Sequence, residues 1–132
     1  MNTRIAAVLD NEKSLVLGLK PLRHIERLID NVLPGAEKII LSKSEVVQYY
    51  RNDERHCFML LHGSVALHRR GDGIVLNSES APFILGVSSQ FSSEHLYVRA
   101  LETSELACVS LDAFNKVVAQ HDLWEHFSKL LI

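Results

Sequence analysis

A chain of 132 residues, 47% of them hydrophobic, has room for one globular domain that buries about two thirds of the surface its unfolded form would expose. With 14 Lys+Arg against 16 Asp+Glu the net charge is -2, which gives no overall attraction to a polyanion, so any DNA contact is expected outside this chain. Cys57 and Cys108 are too few for a disulfide scaffold and form no CxxC motif, and the N-terminal MNTRIAAVLDNEK is neither a secretory signal nor a membrane span, so a cytoplasmic, soluble protein is expected.

Residues 1 to 20 mix apolar residues with Gly18 ahead of Pro21, which allows a short early helix that the proline does not let continue. From Pro21 the segment PLRHIERLIDNVLPG places Leu22, Ile25, Leu28, Ile29, Val32 and Leu33 at three- and four-residue spacing, an amphipathic helix opened by proline and stopped near Pro34-Gly35. Two strands follow, Lys38 to Leu41 and Glu45 to Tyr50, closed by a polar loop from Arg51 to Arg55. CFMLL and SVALH are the next strands, with Val65 and Leu67 on one face and Ala66 and His68 on the other. Gly71-Asp72-Gly73 makes a hairpin turn before IVLNS, Asn77 to Ala81 reads as a loop, and Pro82 leads into FILG.

The serine-rich SSQFSSEH, residues 88 to 95, reads as a surface or pocket-lining segment between strands. LYVRAL and ELACVS are two further strands, Ser110-Leu111-Asp112 offers caps for AFNKVVAQ, and Asp122 for LWEHFSKLLI with its stripe of Leu123, Phe127, Leu130 and Leu131. A helix, a long run of short strands and closing helices give an α+β class, an antiparallel β-roll of the jelly-roll or double-stranded β-helix type with flanking N- and C-terminal helices.

In their order and spacing, LLHGSVAL at 60–67, Ile84-Leu85-Gly86 and VRALETSELACVSLDAF at 98–114 resemble the cyclic-nucleotide-binding domain of the Crp/Fnr family of bacterial transcription regulators, over roughly Ile39 to Leu131. The resemblance implies an N-terminal helical segment at 1–35, a β-roll at 36–111, and the start of a dimerisation helix at 112–132. It also implies a DNA-binding domain beyond this chain and a homodimer in the full-length protein. Cyclic-nucleotide binders of that family follow the glycine with a glutamate for the ribose and later an arginine for the phosphate. Here Val87 follows Gly86, and Glu94 falls at or near the arginine's position. A carboxylate facing a phosphodiester is repelled by about 4 kcal/mol at contact distance and an effective dielectric of about 20, so cAMP binding is not expected. The degenerate cassette is similar to that of enterobacterial Crp-like regulators associated with peroxide resistance. The ligand-pocket candidates are Gly86, Val87, Ser88, Ser89, Glu94, His95 and Arg99, for an unidentified small-molecule or protein effector, with no cofactor and no catalysis.

Other chemistries are less well carried. His62, His68 and His95 invite a cupin-like metal enzyme, but no HxH pair is present. His121 and His126 are five residues apart, poorly placed on one helical face. Cys57 beside His56 suggests a thiol sensor, yet neighbouring strand residues point to opposite faces. Tyr49, Tyr50 and Trp124 read as core or interface aromatics. A ligand-free protein-interaction module, its pocket filled by its own side chains, is the remaining alternative.

Overall fold

The structure, a computed structural model, describes residues 21–87 and 96–130. The early helix expected before Pro21, the SSQFSSEH segment and Leu131 lie outside them.

Pro21 precedes helix α1 (Leu22–Val32), and its carbonyl accepts from the His24 and Ile25 N–H groups, each at 3.1 Å. Ile25, Leu28, Ile29 and Val32 bury one face, as their spacing predicts. The helix tightens into a 3-10 turn, Leu33–Gly35, where Pro34 has no N–H to extend the α pattern. Among the described residues nine strands follow: β1 (Glu37–Leu41), β2 (Val46–Gln48), β3 (Tyr50–Arg51), β4 (Glu54–His62), β5 (Ser64–Arg69), β6 (Val75–Ser80), β7 (Phe83–Leu85), β8 (Leu96–Ala100) and β9 (Ser104–Ser110). Two helices close the described chain, α2 (Leu111–Gln120) and α3 (Trp124–Leu130). The Ser110 hydroxyl caps α2, accepting from the Ala113 N–H at 3.1 Å.

Every strand pair is antiparallel. One sheet runs β1-β9-β4-β3 with β7 also on β4, and the other runs β2-β8-β5-β6. Between them lies the inner core, with Phe58, Leu60, Val65, Val98 and Leu106 at its centre. A second core, built from Ile25, Leu28, Phe114, Val118 and Leu123, seals the helices onto the outer face of the first sheet. Strand β4 serves both: Cys57 and Met59 face the helices, Phe58 and Leu60 the interior, all four wholly buried. A strand covered on both faces reads as a continuous apolar run, which is why CFMLL shows no alternation.

The sequence reading is corrected in three places. The expected strand Glu45 to Tyr50 is divided: Val46–Gln48 pairs with β8, while Tyr50–Arg51 pairs with β4 in the opposite sheet. Tyr49 makes the crossing, 2% exposed, with its ring 5.6 Å from that of Phe58. The polar loop Arg51 to Arg55 is a tight hairpin, Arg51 opposite Glu54, turned by Asn52 and Asp53 at φ of 53° and 61°. Asn and Asp are the non-glycine residues that best tolerate that conformation. Asn77 to Ala81 is mostly strand, since β6 runs to Ser80, opposite Ser64. Backbone pairing holds this polar edge strand, so the apolar alternation that would have revealed it is missing.

Candidate functional site

A cavity of about 180 Å³ opens where the inner faces of β5, β6 and β7 meet the head of α1. Val65, Leu67, Phe83, Leu85 and Leu96 give it an apolar wall. Val65 and Leu67 are the inward members of the SVALH alternation, while Ala66 and His68 face away. Gly86 and Val87 form its rim beside Tyr49 and Arg55, and Pro21 reaches it from just ahead of α1.

Gly86 is required by geometry. Its φ is +92°, and a Cβ there would lie 2.6 Å from Tyr49 Cε1 and 3.0 Å from the His56 carbonyl oxygen. The Tyr49 ring thus lies against bare backbone. Arg55 donates from Nη2 to the Gly86 carbonyl at 3.4 Å, and its Nε is shut off from water. Across the cavity, on β6, Asn77 donates from Nδ2 to Glu79 Oε1 at 2.9 Å.

Burial pushes the Tyr49 phenol well above its ordinary value, a nearby Cys57 adds to this, and the positive charge of Arg55 opposes it. Burial first, and Cys108 second, push the Cys57 thiol up to about 12, again against Arg55. Tyr49 is therefore a phenol and Cys57 a thiol at neutral pH, and the guanidinium is close enough to act electrically on both.

Gly86 and Val87, two of the candidates named from the sequence, line this cavity. Ser88, Ser89, Glu94 and His95 lie outside the described residues. Arg99 is elsewhere: on β8 it donates from Nε to His68 Nε2 at 3.0 Å, away from the cavity wall. His68 Nδ1 lies 2.9 Å from the Gly73 carbonyl, and its ring stacks on Tyr97 with centroids 5.0 Å apart. A carbonyl only accepts and a guanidinium only donates, so the proton of His68 sits on Nδ1. His62 is exposed on β4 with its Nε2 3.8 Å from Glu105, and it does not meet His68. No cluster of three metal-ligating side chains occurs among the described residues. His24 and His126 do meet, with their Nδ1 atoms 2.8 Å apart between α1 and α3.

Cys57 lies opposite Val109 and Cys108 opposite Phe58, which puts the two thiols on opposite faces of one sheet. Arg51 Nη1 contacts the Cys108 sulfur at 3.0 Å. Reading the residues alone missed Arg55, and it gave Tyr49 as a core or interface aromatic without assigning it to a site. The signal for Arg55 was a charge at the start of an apolar strand, and that signal acquires meaning only once β4 and β7 are known to pair.

No protein-family model matches the chain, and no curated protein does. Solved structures do. A transcriptional regulator from Thermotoga maritima is 22% identical, with a TM-score of 0.60, 76% of this chain covered and 84% of that one. The Thermus thermophilus catabolite activator protein is 16% identical, with a TM-score of 0.59, 84% of this chain covered and 52% of that one. Oxidized CprK in complex with o-chlorophenolacetic acid is 17% identical, with a TM-score of 0.61, 80% of this chain covered and 46% of that one. The fold is that of the cyclic-nucleotide-binding-like β-roll. Against the second and third of these structures the chain spans about half their length. The expected class, an antiparallel β-roll with flanking helices, is borne out. No helix among the described residues is long and apolar enough to cross a membrane.

Proposed function

We propose that this chain is the sensor domain of a Crp-like transcription regulator whose effector is not a cyclic nucleotide. The observation that carries the reading is the cavity itself. Its volume is about 180 Å³, and the described residues that line it are mostly apolar, which offers the sugar and phosphate of a nucleotide few polar partners. Val87 in place of the ribose-binding glutamate points the same way.

The packing supports an allosteric output without catalysis. Pro21 and Val87 both line the cavity, and Val87 also packs against the core beneath the helices. Strand β7 contacts α1, and α1 contacts α3. A ligand that changes the seating of Pro21 and Val87 acts on α1 and, through it, on the C-terminal helix. Its differential affinity for the two seatings sets the size of the shift. In the full-length regulator the segment 112–132 would begin the dimerisation helix, and DNA would be read by a domain outside this chain, in keeping with its small negative charge. The fold's known members are regulators in the structures compared, which supports a binding rather than a catalytic role.

Titration of the purified chain with cAMP and cGMP by calorimetry tests the reading. No heat of binding is expected up to millimolar nucleotide, and micromolar binding of either would overturn it.

A further inference from the structure

We infer that the outer face of the second sheet, around Arg99, is a docking surface for a protein segment that presents a carboxylate flanked by aliphatic side chains. It does not depend on what the cavity binds.

Alternation along the strands builds this face. Val47, Val98 and Leu67 stand opposite one another and pack on the inner core, so their neighbours Val46, Arg99 and Ala66, also opposite one another, turn outward. In the next outward row Tyr97 stands opposite His68, and His68 opposite Val75. Val46 and Val75, at the two margins, are 49% and 52% exposed, whereas Ala66 and His68 between them are 2% and 6% exposed. Strands lie about 4.8 Å apart, so four of them span about 14 Å, enough for one extended segment or one helix.

At the centre a relay of contacts fixes Arg99. The Gly73 carbonyl accepts from His68 Nδ1 at 2.9 Å, the Tyr97 ring lies parallel on the imidazole, and His68 Nε2 accepts from Arg99 Nε at 3.0 Å. The partner of this guanidinium is an imidazole lone pair rather than a carboxylate, and no ion pair to Arg99 occurs among the described residues. Its two terminal nitrogens have no partner among the described residues and, unlike Arg55 Nε, are not shut off from water. They leave one end-on pair of parallel donors, the fork that fits a carboxylate.

The surroundings select a protein over a bare anion. A guanidinium already held at Nε loses less rotamer freedom when it binds than a free one does. Arginine and tyrosine are the residues enriched at the centres of protein interfaces, where lysine is depleted. Val46 and Val75 supply apolar area that a phosphate ion would leave wet. Charge complementarity thus sets the head group, and the two valines set what flanks it.

The test is selection of short peptides from a random displayed library on the intact chain. Calorimetry then compares the leading peptide with a counterpart in which its Asp or Glu is replaced by Asn or Gln. The selected peptides are expected to carry an acidic residue beside Val, Ile or Leu. The amide counterpart is expected to bind roughly 10-fold or more weaker, as for loss of a charge-assisted hydrogen bond. Arg99→Gln should bind both peptides alike at the weaker level, and Arg99→Lys should recover only part of the preference, because an ammonium lacks the fork. Arg27→Gln, the same loss of charge on the exposed side of α1, should leave the preference intact. The comparison of acid with amide on the wild type holds whether or not the variants fold. Selected peptides without acidic enrichment, equal binding of acid and amide, or an equal loss in Arg27→Gln would each overturn the assignment. So would a dimer of the chain that Arg99→Gln dissociates, which gives the face to a second copy, or inorganic phosphate bound more tightly than any selected peptide, which makes it a small-anion site.

Discussion

Replacing Gly86 by alanine should be among the most destabilising single-methyl additions in this chain. Two terms combine. A residue with a Cβ at a φ of +92° loses about 1–2 kcal/mol relative to glycine from backbone strain. The new methyl would also lie 2.6 and 2.8 Å from two carbons of the Tyr49 ring and 3.0 Å from the His56 carbonyl oxygen, about 1 Å inside the usual 3.5–4.0 Å separation of carbon atoms. Neither neighbour can withdraw easily. The ring packs on Phe58, and the His56 N–H donates to the Tyr49 carbonyl at 2.8 Å. Overpacking of this kind costs about 1–3 kcal/mol, which brings the sum to about 2–5 kcal/mol.

Gly71 isolates the strain. Its φ is +97°, but a Cβ there would have no atom within 4 Å, so Gly71→Ala should lose only the 1–2 kcal/mol of strain (about). Urea denaturation of both variants at equal m-value measures the difference. In heat, at about 4 °C per kcal/mol for a chain of this size, Gly86→Ala should melt roughly 8–20 °C lower than wild type and Gly71→Ala roughly 4–8 °C lower. In a Tyr49→Ala background part of the Gly86→Ala cost should disappear, because the ring it strikes is gone. Equal destabilisation by Gly86→Ala and Gly71→Ala would refute the close approach of Tyr49 to the glycine.

Acid should loosen the α1–α3 contact. Burial first, then the charges of His126, Arg23 and Lys129, hold the His24 imidazole below its ordinary value of 6.5, with Glu125 opposing. The folded state then binds fewer protons than the unfolded state, so this contribution is complete above about pH 6.5 and is lost as pH falls through the lower, folded value. Urea titrations at pH 7.5 and 5.5 should show wild type losing more stability than His24→Gln, and identical losses would count against it. The two cysteines should be inert in the native state, since Cys57 is wholly buried with its thiol pushed up to about 12 and burial raises Cys108 as well. A thiol reagent at pH 8 should react only after denaturation, and Cys57→Ser should leave any peroxide response unchanged; rapid native labelling of one thiol would contradict this.

The elements with strong local signals were legible in the residues. Helix α1 is written by the spacing of Ile25, Leu28, Ile29 and Val32, the cap of α2 by Ser110, and the β5–β6 turn by Gly71-Asp72-Gly73. The SVALH alternation put Val65 and Leu67 on one face and Ala66 and His68 on the other, and the structure shows that the first face is the inner one. Less legible were the elements held by partners distant in sequence. Tyr49 changes sheets because its ring has a place between Phe58 and Gly86, and NSES is a strand because Ser64 to Leu67 lies beside it.

The sequence by itself determined the class, because periodicity and turn residues are local properties of the chain. It also marked Gly86 as the point where a strand ends. Only the tertiary structure decided what surrounds that glycine. Tyr49 lies against it, Arg55 donates to its carbonyl, and Leu67 and Pro21 line the same cavity from two further segments; pairing of β4 with β7 is what aims Arg55 at the Gly86 carbonyl. Whether a charged side chain faces water or an apolar cavity depends on strand register and sheet closure, and these are set by contacts between residues far apart in the chain.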